Sequence, residues 1–254
     1  MVFLFRPEIH SSVMLPFESS LVQGMCLEKR AFFRILSGMH SSINIHLSAL
    51  YRVSGKSTSS PEFGPNLNEF VRRFDTATTN GQGPSWLKNL YFAYLLVLRA
   101  ITKMEIYWIG HHFYTGNSKD DAIIYDKVIQ IVRAAKDCSN SLFDETMLFT
   151  GNTSYQLKEA FRAHFRNITR IMDCVGCSKC KLWGKLQVHG IGTALKILFS
   201  GKKSTKFTLR RREVVALFNV LGRFSSSIHL LPNFRNLEVR HTNLFQTLMC
   251  IIHA

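Results

Sequence analysis

The stretch Cys174-Val-Gly-Cys177-Ser-Lys-Cys180 places three of the six cysteines of this 254-residue chain within seven residues. Two thiols separated by two residues can close a small disulfide that is easily reduced. A helix N-terminus or a cationic neighbour stabilises a thiolate, and Lys179 and Lys181 supply such neighbours here. If the stretch is helical, its spacing also puts Cys177 and Cys180 on one side, close enough to bridge. The cluster therefore favours a redox dithiol.

Three other interpretations of this cysteine cluster stay open on spacing alone. A structural zinc site needs a complete tetrahedral ligand set, and the nearest additional candidate is His189, with no second Cys/His pair at zinc-finger spacing. An iron–sulfur run of the ferredoxin type needs a further cysteine that is absent from this stretch. In the third interpretation the cysteines cluster by chance or have only a structural role.

Hydrophobic periodicity predicts helices along nearly the whole chain. Apolar residues recur at steps of three or four over residues 32–50 and again over residues 157–172, where they lead into the cysteine cluster. Thr153 and Gln156 are spaced as a capping box at the start of the second stripe. With 46% hydrophobic residues, the chain can bury a large core as one all-α, bundle-like domain over residues 1–254. Further predictions are helices over 119–137, 184–199 and 210–230, and turn-rich connections over 54–65 and 76–84.

The formal charge of +15 first suggests nucleic acid or an acidic membrane surface as a partner. The positive residues are dispersed, however, and no nucleic-acid-binding motif interleaves aromatic side chains with them. Nucleic acid is therefore not predicted as a partner. The densest group lies at a loop running into an apolar helix, which is typical of a solvated helix entrance. Its members are Lys202, Lys203, Lys206 and Arg210 to Arg212.

Membrane insertion is not predicted either. The longest apolar run, from Leu90 to Leu98, is well short of the roughly 20 residues needed to span a bilayer, and it is better interpreted as a buried central helix. Residues 1–5 are too few for the apolar region of about 7 to 15 residues in a secretory signal, so no such signal is visible.

The longer context of the cysteines identifies a family. The stretch Arg170-Ile-Met-Asp-Cys-Val-Gly-Cys-Ser-Lys-Cys-Lys-Leu-Trp-Gly-Lys-Leu-Gln187, followed by Gly192-Thr-Ala-Leu-Lys-Ile-Leu-Phe-Ser200, closely resembles the endoplasmic reticulum oxidoreductin family of flavin-dependent thiol oxidases. Segments such as Ser37-Gly-Met-His-Ser-Ser-Ile-Asn-Ile-His-Leu-Ser48 and Leu87-Lys-Asn-Leu-Tyr-Phe92 match in the same order. The resemblance covers roughly residues 24–228, which correspond to the family's C-terminal half. Residues 1–23 and about 232–254 are unmatched tails.

The resemblance implies a helical flavin-binding core and an enzyme that reoxidises protein disulfide isomerase. Electrons would pass from Cys177 and Cys180 through FAD to molecular oxygen, giving hydrogen peroxide and supporting oxidative protein folding. In this scheme Cys177 exchanges with incoming thiols, Cys180 passes electrons to FAD, and Cys174 is a bridging, structural cysteine. The resemblance also implies the lumen of the endoplasmic reticulum, with peripheral membrane association, and no metal.

Candidate FAD contacts come from the same resemblance. Ser37 and His40 lie one helical turn apart and would contact the adenosine end, and Arg73 would bind pyrophosphate oxygens. Relatives carry a basic residue after a Gly-Pro pair, whereas this chain has Ser85 and Trp86 there, so one phosphate-side cation is lost.

A second departure concerns the family's shuttle disulfide, a Cys-x4-Cys in its N-terminal half. No two cysteines of this chain have that spacing. The alternative function is therefore a catalytically incomplete helical fragment that lacks the shuttle disulfide and part of the FAD site.

Overall fold

The computed structural model describes residues 25–52, 63–139, 145–200 and 208–235. These ranges are mostly helical, so the predicted all-α class is confirmed. The two short strands pair in an antiparallel hairpin. In chain order the elements are α1 (Leu27–Ala49), β1 (Tyr51–Arg52), β2 (Phe63–Gly64), α2 (Leu67–Phe74), α3 (Gly83–Lys103), α4 (Glu105–Ile109), α5 (Ser118–Ser139), the 3₁₀ turn η1 (Glu145–Met147), α6 (Ser154–Ile171), the 3₁₀ turn η2 (Met172–Cys174), α7 (Ser178–Phe199), α8 (Arg211–Leu230) and α9 (Pro232–Arg235).

The predicted helices are present, and two of them start earlier than expected. Helix α7 begins at Ser178 rather than at residue 184. Helix α3 begins at Gly83, inside the predicted turn-rich segment 76–84, because the first turn of a helix tolerates a proline such as Pro84. Of the other predicted connection, residues 54–62 lie outside the described residues.

The predicted capping box at the start of α6 is wrong. Thr153 has helical backbone angles, φ −89° and ψ 0°, and its side chain makes no capping hydrogen bond. A capping side chain needs the extended backbone of a normal N-cap to reach the amides of the first turn. The start of α6 therefore depends on its apolar stripe rather than on a cap.

The basic group at the predicted helix entrance is described only in part. Lys202, Lys203 and Lys206 lie outside the described residues. Arg211 and Arg212 are exposed in the first turn of α8, as expected for a solvated helix entrance.

The chain divides into two compact units. Among the described residues, the first unit is Leu95–Val220 and the second consists of residues 25–94 and 221–235, so α3 and α8 contribute to both. The single domain over residues 1–254 that was expected from the length of the chain stays a prediction.

The first unit is built around a fully buried tryptophan and the buried half of α7. Trp108 donates its indole N–H to the carbonyl of Ile101 at 2.9 Å and packs edge-on against Phe218. Helices α7 and α8 approach closely at Gly190, where a Cβ atom would collide with the Ala216 carbonyl. That contact fixes the deep end of α7 and leaves its N-terminal end outside the core.

The second unit packs α1 against α2 and the start of α3. Phe70 stacks on Phe234 with ring centroids 4.3 Å apart, and both rings are buried. Gly38 lets α1 approach the backbone of Asn89 in α3, because a side chain at residue 38 would overlap it. The predicted central helix, α3, is buried along its apolar run. Among the described residues, none of the helices is long and apolar enough to cross a membrane.

Candidate redox site

Cys177 and Cys180 are joined by a disulfide, with their Cα atoms 5.2 Å apart. The stretch from Cys174 to Cys180 is not one continuous helix, because Cys174 ends the 3₁₀ turn η2 and Val175 has extended backbone angles. The two bonded cysteines therefore lie on either side of a helix start, and Cys174 belongs to the preceding turn.

The disulfide occupies the N-terminus of α7. Cys177 is the N-cap residue, and its sulfur accepts a hydrogen bond from the Cys180 amide at 3.1 Å. The first amides of a helix have no partner within the helix, and the helix dipole favours negative charge at this end. The first turn of α7 contains no acidic residue, and Lys179 and Lys181 add positive charge. This environment stabilises a thiolate at Cys177 whenever the disulfide is open.

The turn before the disulfide is tied to α7 by two contacts. Asp173 forms an ion pair with Lys185, and this hydrogen bond lowers the pKa of the Asp173 carboxyl. Met172 packs over Gly184 so closely that a Cβ atom there would lie 2.6 Å from the Met172 sulfur. Both contacts hold the cysteine-bearing turn against the second and third turns of α7.

Both bonded cysteines are exposed, so an incoming thiol can reach them in the described chain. Cys174 and Cys26 are also exposed, and neither forms a disulfide with any residue that the structure describes. The bridging role that the resemblance implies for Cys174 has no counterpart among these residues. The side chain of Cys138 and the whole of Cys250 lie outside the described parts.

His189, the candidate additional zinc ligand, lies in the middle of α7, nine residues after Cys180. Burial lowers the pKa of its imidazole. Over the described ranges, no three His, Cys, Asp or Glu side chains are grouped to hold a metal ion.

The predicted FAD residues Ser37 and His40 lie on one face of α1. The Asn89 side-chain amide donates to the Ser37 hydroxyl at 3.0 Å, and the same side chain accepts from the buried Arg34 guanidinium at 3.2 Å. His40 is exposed, and the Asn44 amide lies 3.3 Å from its Nδ1 atom. The structure thus brings the two predicted residues together and adds Asn89 as the residue that orients Ser37.

Arg73 lies in the last turn of α2 and is paired with Glu69. Its guanidinium forms an ion pair with the Glu69 carboxylate and donates to the Glu69 carbonyl at 3.1 Å. Hydrogen bonds from Arg72 and then Arg73 lower the pKa of Glu69. A phosphate at Arg73 would therefore compete with a carboxylate already in place.

Sequence reasoning missed two of these residues. Glu69 precedes Arg73 by four residues on a helix, so the spacing of opposite charges indicated the pair. Asn89 immediately precedes the apolar run that starts at Leu90, a position that is consistent with a buried hydrogen-bonding side chain but does not identify its partners. Trp86, where the resemblance implies a basic residue in relatives, is half-buried in the first turn of α3, and its carbonyl accepts from the Ser41 hydroxyl at 2.9 Å.

The predicted residues fall into two groups. The disulfide lies in the first unit, and Ser37, His40 and Arg73 lie in the second. Each group is organised by contacts within its own unit.

Residues 10–231 match the family model of Endoplasmic Reticulum Oxidoreductin 1 (ERO1). The chain therefore belongs to the endoplasmic reticulum oxidoreductin family. ERO1-like protein alpha of Rattus norvegicus is 48% identical over 231 residues, which are 86% of this chain and 49% of the relative. The human protein of the same name gives the same values, and the Ero1-like protein of Drosophila melanogaster is 46% identical over 234 residues, 84% of this chain and 48% of that one. The chain thus spans about half the length of the curated relatives that it matches.

Solved structures agree with this assignment. A mutant of Saccharomyces cerevisiae Ero1p, with two cysteines replaced by alanine, superimposes with a TM-score of 0.69 at 31% identity, covering 91% of this chain and 62% of that one. A second structure of Ero1p, described as the source of disulfide bonds for oxidative protein folding in the cell, gives a TM-score of 0.66 at 31% identity. It covers 91% of this chain and 58% of that one.

Proposed function

We propose that this chain carries the disulfide-exchanging part of an FAD-dependent thiol oxidase that reoxidises protein disulfide isomerase in the lumen of the endoplasmic reticulum. The observation that carries the proposal is the exposed Cys177–Cys180 disulfide at the N-terminus of α7, in a chain that belongs to the oxidoreductin family. The products are a disulfide in the substrate and hydrogen peroxide, and the enzyme associates with the membrane only peripherally.

The exchange takes place in two steps. A substrate thiolate attacks the Cys177 sulfur, the Cys177–Cys180 bond breaks, and Cys180 leaves as a thiolate. The second substrate thiol then attacks the mixed disulfide and releases Cys177, so that the substrate is oxidised and the pair is reduced by two electrons. The Cys180 amide and the N-terminus of α7 favour the second step, because they stabilise the Cys177 thiolate that is released.

The chemistry of the predicted cofactor residues suits FAD. Ser37 keeps its own hydroxyl proton to donate, since Asn89 donates to its oxygen. The exposed His40 can stack on or hydrogen-bond to an adenosine, and the Arg73 guanidinium can bind phosphate oxygens once Glu69 releases it. FAD, when bound, accepts two electrons from a dithiol and passes them to molecular oxygen.

One experiment tests this function on the purified chain. Oxygen consumption and peroxide release are measured with dithiothreitol and with reduced protein disulfide isomerase, over a titration of FAD, with and without the N-terminal half of the rat relative. We expect consumption that requires both FAD and Cys180 and that increases when the N-terminal half is added. Consumption that continues in Cys180→Ser, or none under any condition with FAD bound, would contradict the proposal.

The second candidate is a catalytically incomplete helical fragment. The pairing of Arg73 with Glu69, together with Ser85 and Trp86 at the position of a basic residue, favours weak FAD binding by this chain alone. Flavin lost on gel filtration of the chain alone, and not regained with the N-terminal half, would support this candidate.

A further inference from the structure

The turn between η1 and α6 is held in one conformation by a buried aromatic side chain. Phe149 has a left-handed backbone, with φ 56°, which a bulky residue adopts only where its surroundings impose it. Its ring is buried and meets the rings of Phe161 and Phe199 edge to face, with centroids 5.2 and 4.4 Å apart. The Lys158 ammonium lies 5.6 Å from the centre of the same ring. The packing of Phe149 therefore fixes the backbone of the turn.

Both ends of this turn are anchored as well. On the η1 side, the buried Glu145 carboxylate accepts from Arg99 at 3.0 Å and pairs with Lys103 at 3.4 Å. On the α6 side, the Ser154 amide donates to the Gly151 carbonyl at 3.2 Å, and Gly151 has a φ of 107°, which favours glycine. Residues 151–153 are exposed. The turn thus presents a short exposed segment immediately before α6.

The exposed segment contains a glycosylation sequon. Asn152-Thr153-Ser154 has the form Asn-x-Ser/Thr, in which x is any residue except proline. Asn152 and Thr153 are exposed, and Ser154 is half-buried. Within the described ranges, neither the Asn152 amide nor the Ser154 hydroxyl forms a side-chain hydrogen bond. Both groups that the sequon requires are therefore available.

A second sequon, Asn167-Ile168-Thr169, is held differently. It lies inside α6, and the Thr169 hydroxyl donates to the Phe165 carbonyl at 2.9 Å. A helix rises about 1.5 Å per residue, so the 18 residues of α6 span about 27 Å. Asn152 precedes the first residue of α6, whereas Cys174 follows its last residue by three positions. Of the two sequons, the one at Asn152 is therefore remote from the cysteine cluster.

We propose that Asn152 carries an N-linked glycan. The inference rests on the lumenal location in the proposed function, because the donor, an oligosaccharide on a polyprenyl pyrophosphate, is used there. The Asn152 amide nitrogen forms a bond to the anomeric carbon of the first sugar, and the bond from that carbon to the pyrophosphate oxygen breaks. The lipid pyrophosphate leaves with the electron pair, the amide loses one proton, and nothing is oxidised or reduced.

The folded chain has room for a glycan at this position. A glycan is bulky and hydrophilic, so it requires a surface site, and at Asn152 it extends from an exposed turn into solvent. The nearby side chains of Met147 and Tyr155 have 58% and 71% of their surfaces exposed, and a sugar at this turn shields apolar surface of this kind from other molecules. Because the glycan is attached at the opposite end of α6, it leaves Cys177 and Cys180 accessible.

Occupancy of the sequon is measured on the full chain. The chain is expressed in insect cells behind a cleavable secretory signal and is recovered from the secretory pathway. Peptide N-glycosidase in heavy-oxygen water removes each glycan and labels the asparagine that carried it, and mass spectrometry locates the label. We expect the label at Asn152 in most of the recovered chain. Asn152→Gln and Ser154→Ala should each lose one glycan on a denaturing gel.

Two variants are matched controls. Ser154→Thr keeps the hydroxyl that the sequon requires and should keep the glycan. Asn167→Gln alters the other sequon and should leave the label at Asn152 unchanged. Circular dichroism should give the same helical signal for all four variants, because the changed side chains at residues 152, 154 and 167 are all outside the buried core.

Two results would overturn the acceptor site: an unlabelled Asn152 in chain recovered from the secretory pathway, or unchanged gel mobility of Asn152→Gln. The outcomes for the two proposals are separable. A glycan at Asn152 without thiol oxidation under any condition removes the oxidase function alone. Thiol oxidation by a chain whose Asn152 stayed unmodified in the secretory pathway removes the acceptor site alone.

Discussion

The disulfide and the polar face of α1 carry four of the five predicted site residues, Cys177 and Cys180 on the one hand and Ser37 and His40 on the other, and the two regions are held in different ways. The disulfide and the turn before it are held by contacts within residues 172–185: an amide hydrogen bond to the Cys177 sulfur, an ion pair between Asp173 and Lys185, and the packing of Met172 on Gly184. Ser37 is held by Asn89, 52 residues away in the sequence, in a contact that is partly buried. A change at the local, exposed site should therefore cost less stability than a change at the site built from distant, buried residues.

The largest expected effect is on thiol oxidation. Cys177→Ser and Cys180→Ser should each lower the rate by about a thousandfold or more, because either change removes the exchanging bond. Since the two residues enclose a very short loop, loss of the disulfide should lower the free energy of unfolding by no more than about 2 kcal/mol, which is a fall in Tm of about 4–8 °C at most. The measurements are oxygen consumption with dithiothreitol and thermal unfolding by circular dichroism.

Cys174→Ser is the matched control, because Cys174 is exposed and outside the disulfide. It should keep most of the rate and the stability. A rate loss equal to that of Cys180→Ser would show that the exchanging pair is wrongly assigned.

At the polar face of α1, in contrast, the main effect of a substitution should be on the free energy of unfolding. Asn89→Leu should lower the free energy of unfolding by about 3 kcal/mol, because it leaves the Arg34 guanidinium buried without its hydrogen-bond acceptor. Arg34 is 9% exposed, lies 4.3 Å from the centre of the Phe92 ring, and has its pKa lowered to about 10, first by burial and then by Arg30. Urea unfolding measures the change.

Asn89→Asp is the control, since a carboxylate keeps an acceptor for Arg34. It should stay within about 1 kcal/mol of the original chain. If Asn89→Leu were also within that range, the distinction between the two sites would fail.

A third test separates the packing of α7 from its redox end. Gly190→Ala should cost about 2 kcal/mol, because the added methyl group would overlap the Ala216 carbonyl and lie 2.8 Å from the Val220 side chain. Gly192→Ala, two residues further on, meets nothing within 4 Å and should gain about 0.5 kcal/mol from helix propensity. Chemical unfolding of the two variants side by side checks the contrast, and similar values for both would contradict the close approach of α7 and α8.

The smallest expected effect is a loss of stability in acid. Burial, and then the charge of Arg223, lowers the pKa of His46 in α1 from 6.5 to about 4. As the pH falls from 6.5 towards 4, the unfolded chain therefore takes up a proton before the folded chain does, and stability decreases. The contribution is about 1 kcal/mol after allowance for partial exposure. His46→Asn should flatten this part of the profile of unfolding free energy against pH, and an unchanged slope would exclude His46 as its source.

Much of the fold followed from periodicity, because apolar residues at helical spacing must be buried together. The stripes before and after the cysteine cluster became α6 and α7, and the apolar run from Leu90 became the buried part of α3. Helix ends were less predictable. The start of α7 was missed because Cys177 is an unusual N-cap, and a sulfur acceptor has no clear sequence pattern.

The sequence by itself determined the helical class and the cysteine pair that can bridge, because these depend on spacing within one or two turns of a helix. It also determined the family, because several segments match in the same order along the chain. Only the tertiary structure decided which groups surround the predicted residues. It brought Asn89 to Ser37 and left Cys174 outside the disulfide. Such contacts join residues far apart in the chain, and their geometry depends on how helices pack, which no local pattern of residues encodes.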